Sequence, residues 1–257
     1  MRLDKFLSNM GLGSRRDVHK LIASGAVEVD GSVVTARDAQ LDPERQRVCV
    51  DGQYVPYKPY VCLMVNKPAG FLSSTEDGSG PVVTDLLDGA YASYKLGVAG
   101  RLDKDAVGLL LLTNDGEYIH RVISPEKAVY KRYFAFLRAP VTDADVQAFR
   151  AGIRLRDGTV YKSAELTPVE LSDLLAAADA DDFAETGVEP AGGAVVAIRE
   201  GKFHQVKKMF IARGNEVLFL KRLSIGGLVL DPGLAPGEFR ELTPEEAQAV
   251  FANAPAQ

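Results

Sequence analysis

The chain has only two cysteines in 257 residues, Cys49 and Cys62, with no Cys-x-x-Cys spacing. That excludes a disulfide framework and a cysteine-based zinc site, and two buried, inert thiols are expected. Its apolar runs are far shorter than the roughly 18 residues a spanning helix needs. The opening Met1-Arg2-Leu3-Asp4-Lys5 lacks the apolar core of a secretion signal, so a cytoplasmic protein with no membrane partner is expected. Also missing are a Gly-x-Gly-x-x-Gly turn, a phosphate-binding P-loop and any His/Cys/Asp cluster at metal-ligand spacing. Neither a cofactor nor a metal is expected. Positive charge is scarce too, since the formal net charge of −5 counts against a nucleic-acid partner.

The distribution of that charge reverses its meaning. Eight acids and no Lys or Arg lie between Ser163 and Ile198, so the rest of the chain carries +3. Clustered bases on such a remainder can neutralise phosphates, the main source of nucleic-acid affinity. The stretch from about 172 to 193, with its Ala and Asp repeats and Glu189-Pro190-Ala191-Gly192-Gly193, reads as an acidic surface insertion or loop turned away from phosphate. The composition, 46% hydrophobic and 25% charged, is that of an ordinary soluble globular protein, long enough for one large or two modest domains.

Residues 1–48 read as a small separate module. A short helix over Leu3–Asn9 precedes a Gly11-Leu12-Gly13 loop, and Ser14 caps a second helix with Asp17 three residues on. Val18, Leu21 and Ile22 share one face of it, while Arg15, Arg16, His19 and Lys20 share another. Asp30-Gly31 between two short apolar runs predicts a hairpin with a type I′ turn. Asp51-Gly52, Pro56 and Pro59 mark 49–60 as a linker, and 61–257 forms the larger domain.

Chemistry concentrates at Gly100–Gly116. Arg101, Asp103 and Asp105 crowd into a loop, Leu109–Leu112 follow as a fully buried strand, and Asn114-Asp115-Gly116 is a turn. On these residues alone an ion pair within the loop explains the charges. Upstream, Val61–Val65 predicts a strand leading into Asn66-Lys67-Pro68-Ala69-Gly70, and Val82–Leu87 a short helix. Downstream, Glu117–Ile123 predicts a helix and Val129–Leu137 a strand with Lys131 and Tyr133 on one face. A capped helix is predicted from Thr142 to about Ala151, then strands over Thr159–Leu166, Ala194–Ile198 and Val217–Leu220. Before the last of these, Gly201-Lys202-Phe203-His204-Gln205-Val206-Lys207-Lys208-Met209-Phe210 opens a helix. Val206, Met209 and Phe210 face its core, with Lys207 about 100° and Lys208 about 200° away. Gly214 ends that helix, and a last helix follows Thr243-Pro244.

Gly-Arg-Leu-Asp leading into Gly-Leu-Leu-Leu-Leu-Thr-Asn-Asp-Gly resembles the catalytic motif of pseudouridine synthases, in the branch typified by the ribosomal small-subunit enzymes (RsuA type). Lys131-x-Tyr133 and His204-Gln205-Val206-Lys207-Lys208-Met209 resemble its second and third motifs. Arg2-Leu3-Asp4-Lys5-Phe6-Leu7 with Gly25-Ala26-Val27-Glu28-Val29-Asp30-Gly31 resembles the S4 RNA-binding domain. One departure is visible: family members usually carry Thr or Ser, then Thr or Glu, where this chain has Ala106-Val107.

The resemblance implies an α+β protein, with a small S4-type RNA-binding module ahead of a mixed, mostly antiparallel-sheet catalytic domain that isomerises uridine. It makes Asp103 the catalytic carboxylate, Tyr133 the residue stacked on the uracil and Lys207 the partner of Asp103, with Lys104 and Asp105 as loop surface. RNA contacts are expected from Arg2, Lys5, Arg15, Arg16 and Lys20 in the module. In the larger domain they are expected from Lys67, Arg101, Lys131, Lys202, His204, Gln205 and Lys208. The implied substrate is 16S rRNA at its uridine-516 site, within an assembling small ribosomal subunit and acted on by a monomer. A 23S rRNA enzyme of the same family and a non-catalytic S4-type RNA-binding protein are the competing readings.

Overall fold

A computed structural model describes residues 1–76, 80–87, 89–91, 94–169 and 189–252. The chain divides into two compact units, Met1–Val61 with Leu87–Leu96, and Cys62–Leu86 with Gly97–Gln257. No helix among the described residues is long and apolar enough to cross a membrane.

The first unit begins with helices α1 (Leu3–Asn9) and α2 (Arg15–Ala23). Ser14 and Asp17 form the capping box of α2, each side chain binding the other's backbone N–H. A four-stranded antiparallel sheet follows, made of β1 (Val27–Val29), β2 (Ser32–Val33), β3 (Val48–Val50) and β4 (Gln53–Tyr54) in the order β2-β1-β3-β4. Asp30 and Gly31 both have positive φ, as a type I′ turn demands. Leu3, Phe6, Leu7, Val18, Ile22, Val27, Leu41 and Val48 close the core. Residues 49–54, expected in a linker, lie instead in this sheet: Cys49 opposes Glu28 on β1, and Asp51-Gly52 is a second hairpin turn with positive φ at both residues. Only the proline-containing part, 55–60, carries no strand.

The second unit is organised by a nine-stranded sheet. Its strands are β5 (Cys62–Lys67), β6 (Gly97–Val98), β7 (Val107–Thr113), β8 (Lys131–Leu137), β11 (Glu165–Val169), β12 (Gly192–Ile198), β13 (Val217–Ile225), β14 (Leu228–Val229) and β15 (Phe239–Glu241), with a separate small hairpin of β9 (Ile153–Arg154) and β10 (Val160–Tyr161). The principal order is β11-β12-β8-β13-β7-β5-β15, and every pairing is antiparallel except β13 with β7. Helices α3 (Gly116–Ile123), α4 (Asp143–Ala151), α5 (Gln205–Ala212) and α6 (Pro244–Ala249) connect and flank these strands.

Local chemistry explains most boundaries. Capping boxes start α4 at Thr142/Asp145 and α6 at Thr243/Glu246, and the Asp115 carboxylate caps α3. The expected helix at 82–87 is a single 3₁₀ turn over Val83–Leu86. The expected strand at 159–166 is broken, because the Lys162 N–H bonds the Glu200 carboxylate and the Ala164 N–H bonds the Phe149 carbonyl. Residues 172–188 of the acidic stretch fall outside the described residues. Gly192 and Gly193, expected in its loop, open β12: a Cβ on Gly192 would lie 2.6 Å from the Ala139 carbonyl oxygen, so only glycine fits this approach.

Lys131, expected to contact RNA, is 6% exposed, and its ammonium donates to the carbonyls of Val122 and Val129, satisfying the end of α3. Burial lowers its pKa from 10.5 to about 8. Between those values the unfolded chain keeps the proton and the folded chain releases it, so this group's contribution to stability rises with pH. The stability difference between wild type and Lys131→Met is therefore expected to shift in favour of wild type from pH 8 to 10.5. Urea unfolding at several pH values measures it, and a difference independent of pH contradicts the assignment.

Candidate active site

The site forms where the loop 100–106 enters β7. All seven residues of β7 are buried, which makes the strand a fixed base for the polar loop ahead of it. Two buried cations hold the loop's backbone. Arg222, 1% exposed on β13, donates from Nε to the Leu109 carbonyl at 2.7 Å and from its terminal nitrogens to the carbonyls of Gly100 at 2.9 Å and Arg101 at 3.3 Å. Lys67, 0% exposed at the end of β5, donates to the carbonyls of Pro68, Lys104 and Ala106 at 2.9, 3.2 and 2.8 Å. Burial lowers the Lys67 pKa to about 8 against the raising influence of the Asp105 and Asp103 charges. Lys67 was expected at the RNA; its burial and three carbonyl bonds make it a loop anchor instead.

Asp103 projects from this loop into a small cleft of about 60 Å³ shared with Arg101, Tyr133, Lys202 and His204. A neighbouring hollow of about 280 Å³ has Arg101, Tyr133 and Gly201 in common with it and adds Lys131, Ile123 and Arg222. The two hollows are thus bordered by the Asp103 carboxylate on one side and share the Tyr133 ring. Tyr133 is 7% exposed; its register partner across the sheet is Arg222, which donates to the Tyr133 hydroxyl at 3.4 Å.

Lys207 meets Asp103, as the resemblance implied, but not as its nearest partner. The ammonium lies 3.7 Å from Asp103 Oδ2 and donates to both Asp105 oxygens at 2.6 Å. His204 Nε2 stands 3.5 Å from Asp103 Oδ1. Asp105 is thus exposed, as expected of loop surface, yet engaged as the second carboxylate of a three-member charge cluster. Burial pushes the Asp105 pKa up, and the hydrogen bond and charge of Lys207 outweigh it, leaving the carboxyl below its ordinary value.

The remaining expected contacts divide in two. Arg101, Lys202, His204 and Lys208 border the cleft or the adjoining surface. Gln205 also lines the cleft, but it is 3% exposed; its amide donates to Glu200 and its carbonyl accepts from the Lys202 N–H, so it braces the turn into α5. In the first unit Arg2, Lys5, Arg15, Arg16 and Lys20 are all exposed. A groove of about 380 Å³ is lined by Arg2, Lys5, Arg15 and His19, together with Arg37 and Asp4. Asp4 binds Arg2 through two hydrogen bonds, which diverts part of that charge from phosphate.

Arg222 was the functional residue least visible beforehand. Its only sequence signal is a charged pair, Lys221-Arg222, inside an otherwise apolar strand.

Comparison with known proteins bears on the same residues. The profile of the family described as RNA pseudouridylate synthase matches residues 61–212, and that of the S4 domain matches residues 1–46. An RNA pseudouridine synthase of Bacillus subtilis, YtzG, is 43% identical over 96% of each chain. Ribosomal small subunit pseudouridine synthase A of Yersinia pestis is 41% identical over 98% of this chain and 99% of its own. The Escherichia coli protein of that name is 38% identical over 97% and 100%. A crystal structure of a pseudouridylate synthase superposes with a TM-score of 0.62 at 32% identity, covering 97% of this chain and 99% of the other. Agreement of this breadth, across both units and all three motifs, means that the chain belongs to the RNA pseudouridylate synthase family.

Proposed function

We propose that the protein converts one uridine of 16S rRNA to pseudouridine, at the uridine-516 site, acting as a cytoplasmic monomer on an assembling small subunit. The observation that carries this reading is Asp103 at the mouth of a buried strand, facing Lys207, His204 and the Tyr133 wall. Relatives named for the small-subunit reaction, similar over nearly the full length, support the choice of rRNA. The reaction breaks the bond from C1′ to N1, turns the uracil in place and joins C5 to C1′, with the C5 proton lost to solvent and one gained at N1. Its atoms balance within the nucleoside and water, so the chemistry calls for no cofactor.

Each residue has a place in that sequence. Asp103 as carboxylate attacks C1′ or removes the 2′ proton. The Lys207 ammonium lies 3.7 Å from one of its oxygens and sets a positive charge beside the reacting carboxylate. Tyr133 stacks on the released uracil and holds its plane while it turns. The target base leaves its helical stack at a cost of a few kcal/mol, least for an unpaired nucleotide, and Arg101 and the exposed bases of the S4 unit hold the opened RNA.

Asp103→Asn is expected to abolish pseudouridine formation while preserving folding and RNA affinity; residual turnover counts against its role. Lys207→Ala is expected to lower kcat by more than it raises KM, and Asp105→Asn to do less damage, since Lys207 then remains beside Asp103. A pure KM defect in Lys207→Ala makes it a phosphate contact instead. Chemical mapping of rRNA from cells with and without the gene identifies the target. Loss of one 16S pseudouridine is the expected result, loss of a 23S one moves the enzyme to the other subunit, and no change supports the binding-only reading.

A further inference from the structure

The surface beside the cleft carries a feature that the isomerisation itself does not use. Phe203 is 69% exposed, unusual for so large an apolar ring, and it stands next to the reacting carboxylate rather than on a remote face. Its ring stacks on that of His204, with centroids 3.7 Å apart and planes 21° from parallel, and His204 is the residue 3.5 Å from Asp103. The ammonium of Lys208 lies 5.0 Å from the Phe203 centroid. Beyond Lys208 a groove of about 520 Å³ runs between α5 and the β9–β10 hairpin. Arg154, Arg156 and Lys208 supply its positive charge, Asp157 is the one acid among its lining residues, and Leu155 and Ile211 form its apolar part.

We propose that these residues form the track for the RNA strand flanking the target uridine: Phe203 stacks the adjacent base, and Lys208, Arg154 and Arg156 neutralise the phosphates beyond it. The proposal rests on the RNA-modifying reading above and adds a path for the strand. Three observations converge on it. The aromatic pair links the catalytic carboxylate to the groove residue by residue: His204 stands 3.5 Å from Asp103, Phe203 stacks on His204, and Lys208, which lines the groove, lies 5.0 Å from the Phe203 ring centroid. An exposed aromatic flanked by cations is the arrangement that binds single-stranded nucleic acid without regard to sequence, every base having a π-face. Three cations against one acid make the groove complementary to a phosphate chain, in a protein whose net charge is negative. His204 itself takes a left-handed backbone conformation, φ 53°, at the junction of the two parts.

The test uses full-length enzyme, a 16S rRNA fragment containing the target, and a uridine-centred single-stranded oligonucleotide followed by fluorescence anisotropy. Phe203→Ala is expected to raise KM for the fragment about ten-fold and to weaken oligonucleotide binding by a similar factor, with Phe203→Tyr restoring both. Arg154→Glu with Arg156→Glu is expected to flatten the dependence of log affinity on log salt by about 0.7 for each phosphate that is no longer neutralised. Unchanged KM and affinity in Phe203→Ala overturns the proposal, as does a loss confined to kcat, which assigns Phe203 to the support of His204. A groove variant impaired on ribonucleoprotein particles but normal on naked RNA assigns the groove to a protein partner and likewise overturns it. Inactive wild type on the 16S fragment, with oligonucleotide binding still sensitive to Phe203, refutes the substrate assignment and leaves the track standing.

Discussion

The geometry of the site depends on two buried cations that hold its loop by the backbone. Arg222 and Lys67 approach the loop 100–106 from two different strands and between them bond six backbone carbonyls, those of Gly100, Arg101, Leu109, Pro68, Lys104 and Ala106. A loop at the end of a central strand has no ladder to satisfy its own carbonyls, and each one buried without a partner costs about 1–3 kcal/mol. A buried charge is itself expensive unless its hydrogen bonds are filled. The loop and the cations therefore meet each other's need. Gly108 makes the arrangement possible: its φ is 95°, and a Cβ there would lie 2.5 Å from the Arg222 carbonyl oxygen, so only glycine lets β7 and β13 come close enough.

Sharing of Lys207 between two carboxylates has a chemical consequence. Asp105 holds the ammonium with two short bonds while Asp103 keeps it at 3.7 Å. The ammonium therefore sets a positive charge beside Asp103 while its short hydrogen bonds go to Asp105, and neither Asp103 oxygen is taken up by a short bond to it. Asp105 is in this sense a spacer for the cation, and its proximity to Asp103 in the chain makes the two carboxylates respond together to any movement of the loop.

What was legible beforehand followed from local chemistry. The capping pairs Ser14/Asp17, Thr142/Asp145 and Thr243/Glu246 are visible within four residues, and so is the Asp30-Gly31 turn; all appear in the structure where they were expected. Continuous apolarity over Leu109–Leu112 marked a buried strand because the run is short and closed by the turn residues Asn114-Asp115-Gly116. Lys67, Lys131 and Arg222 were misjudged or missed for a common reason. Polar side chains read as solvent-facing until the groups that receive them are known, and those groups belong to segments up to 122 residues away. The breaks at 162–164 had the same origin, since the Glu200 carboxylate that captures the Lys162 N–H is distant in sequence. Asp103, Tyr133 and Lys207 were found together only through resemblance, since spacing alone left an ion pair within the loop as sufficient explanation.

Isomerisation places an unusual demand on the scaffold, because the leaving base must not leave. After the C1′–N1 bond breaks, uracil has to turn within its pocket while the sugar stays aligned with the carboxylate, so the distance between Asp103 and the stacking wall has to survive the intermediate. Arg222 links those two parts through one side chain, binding the Gly100 and Arg101 carbonyls of the Asp103 loop and the Tyr133 hydroxyl at once. Its own backbone is fixed on both sides, opposite Tyr133 on β8 and opposite Gly108 on β7. Three adjacent central strands of the sheet thus determine the separation of carboxylate and aromatic ring, and the loop inherits the rigidity of the sheet.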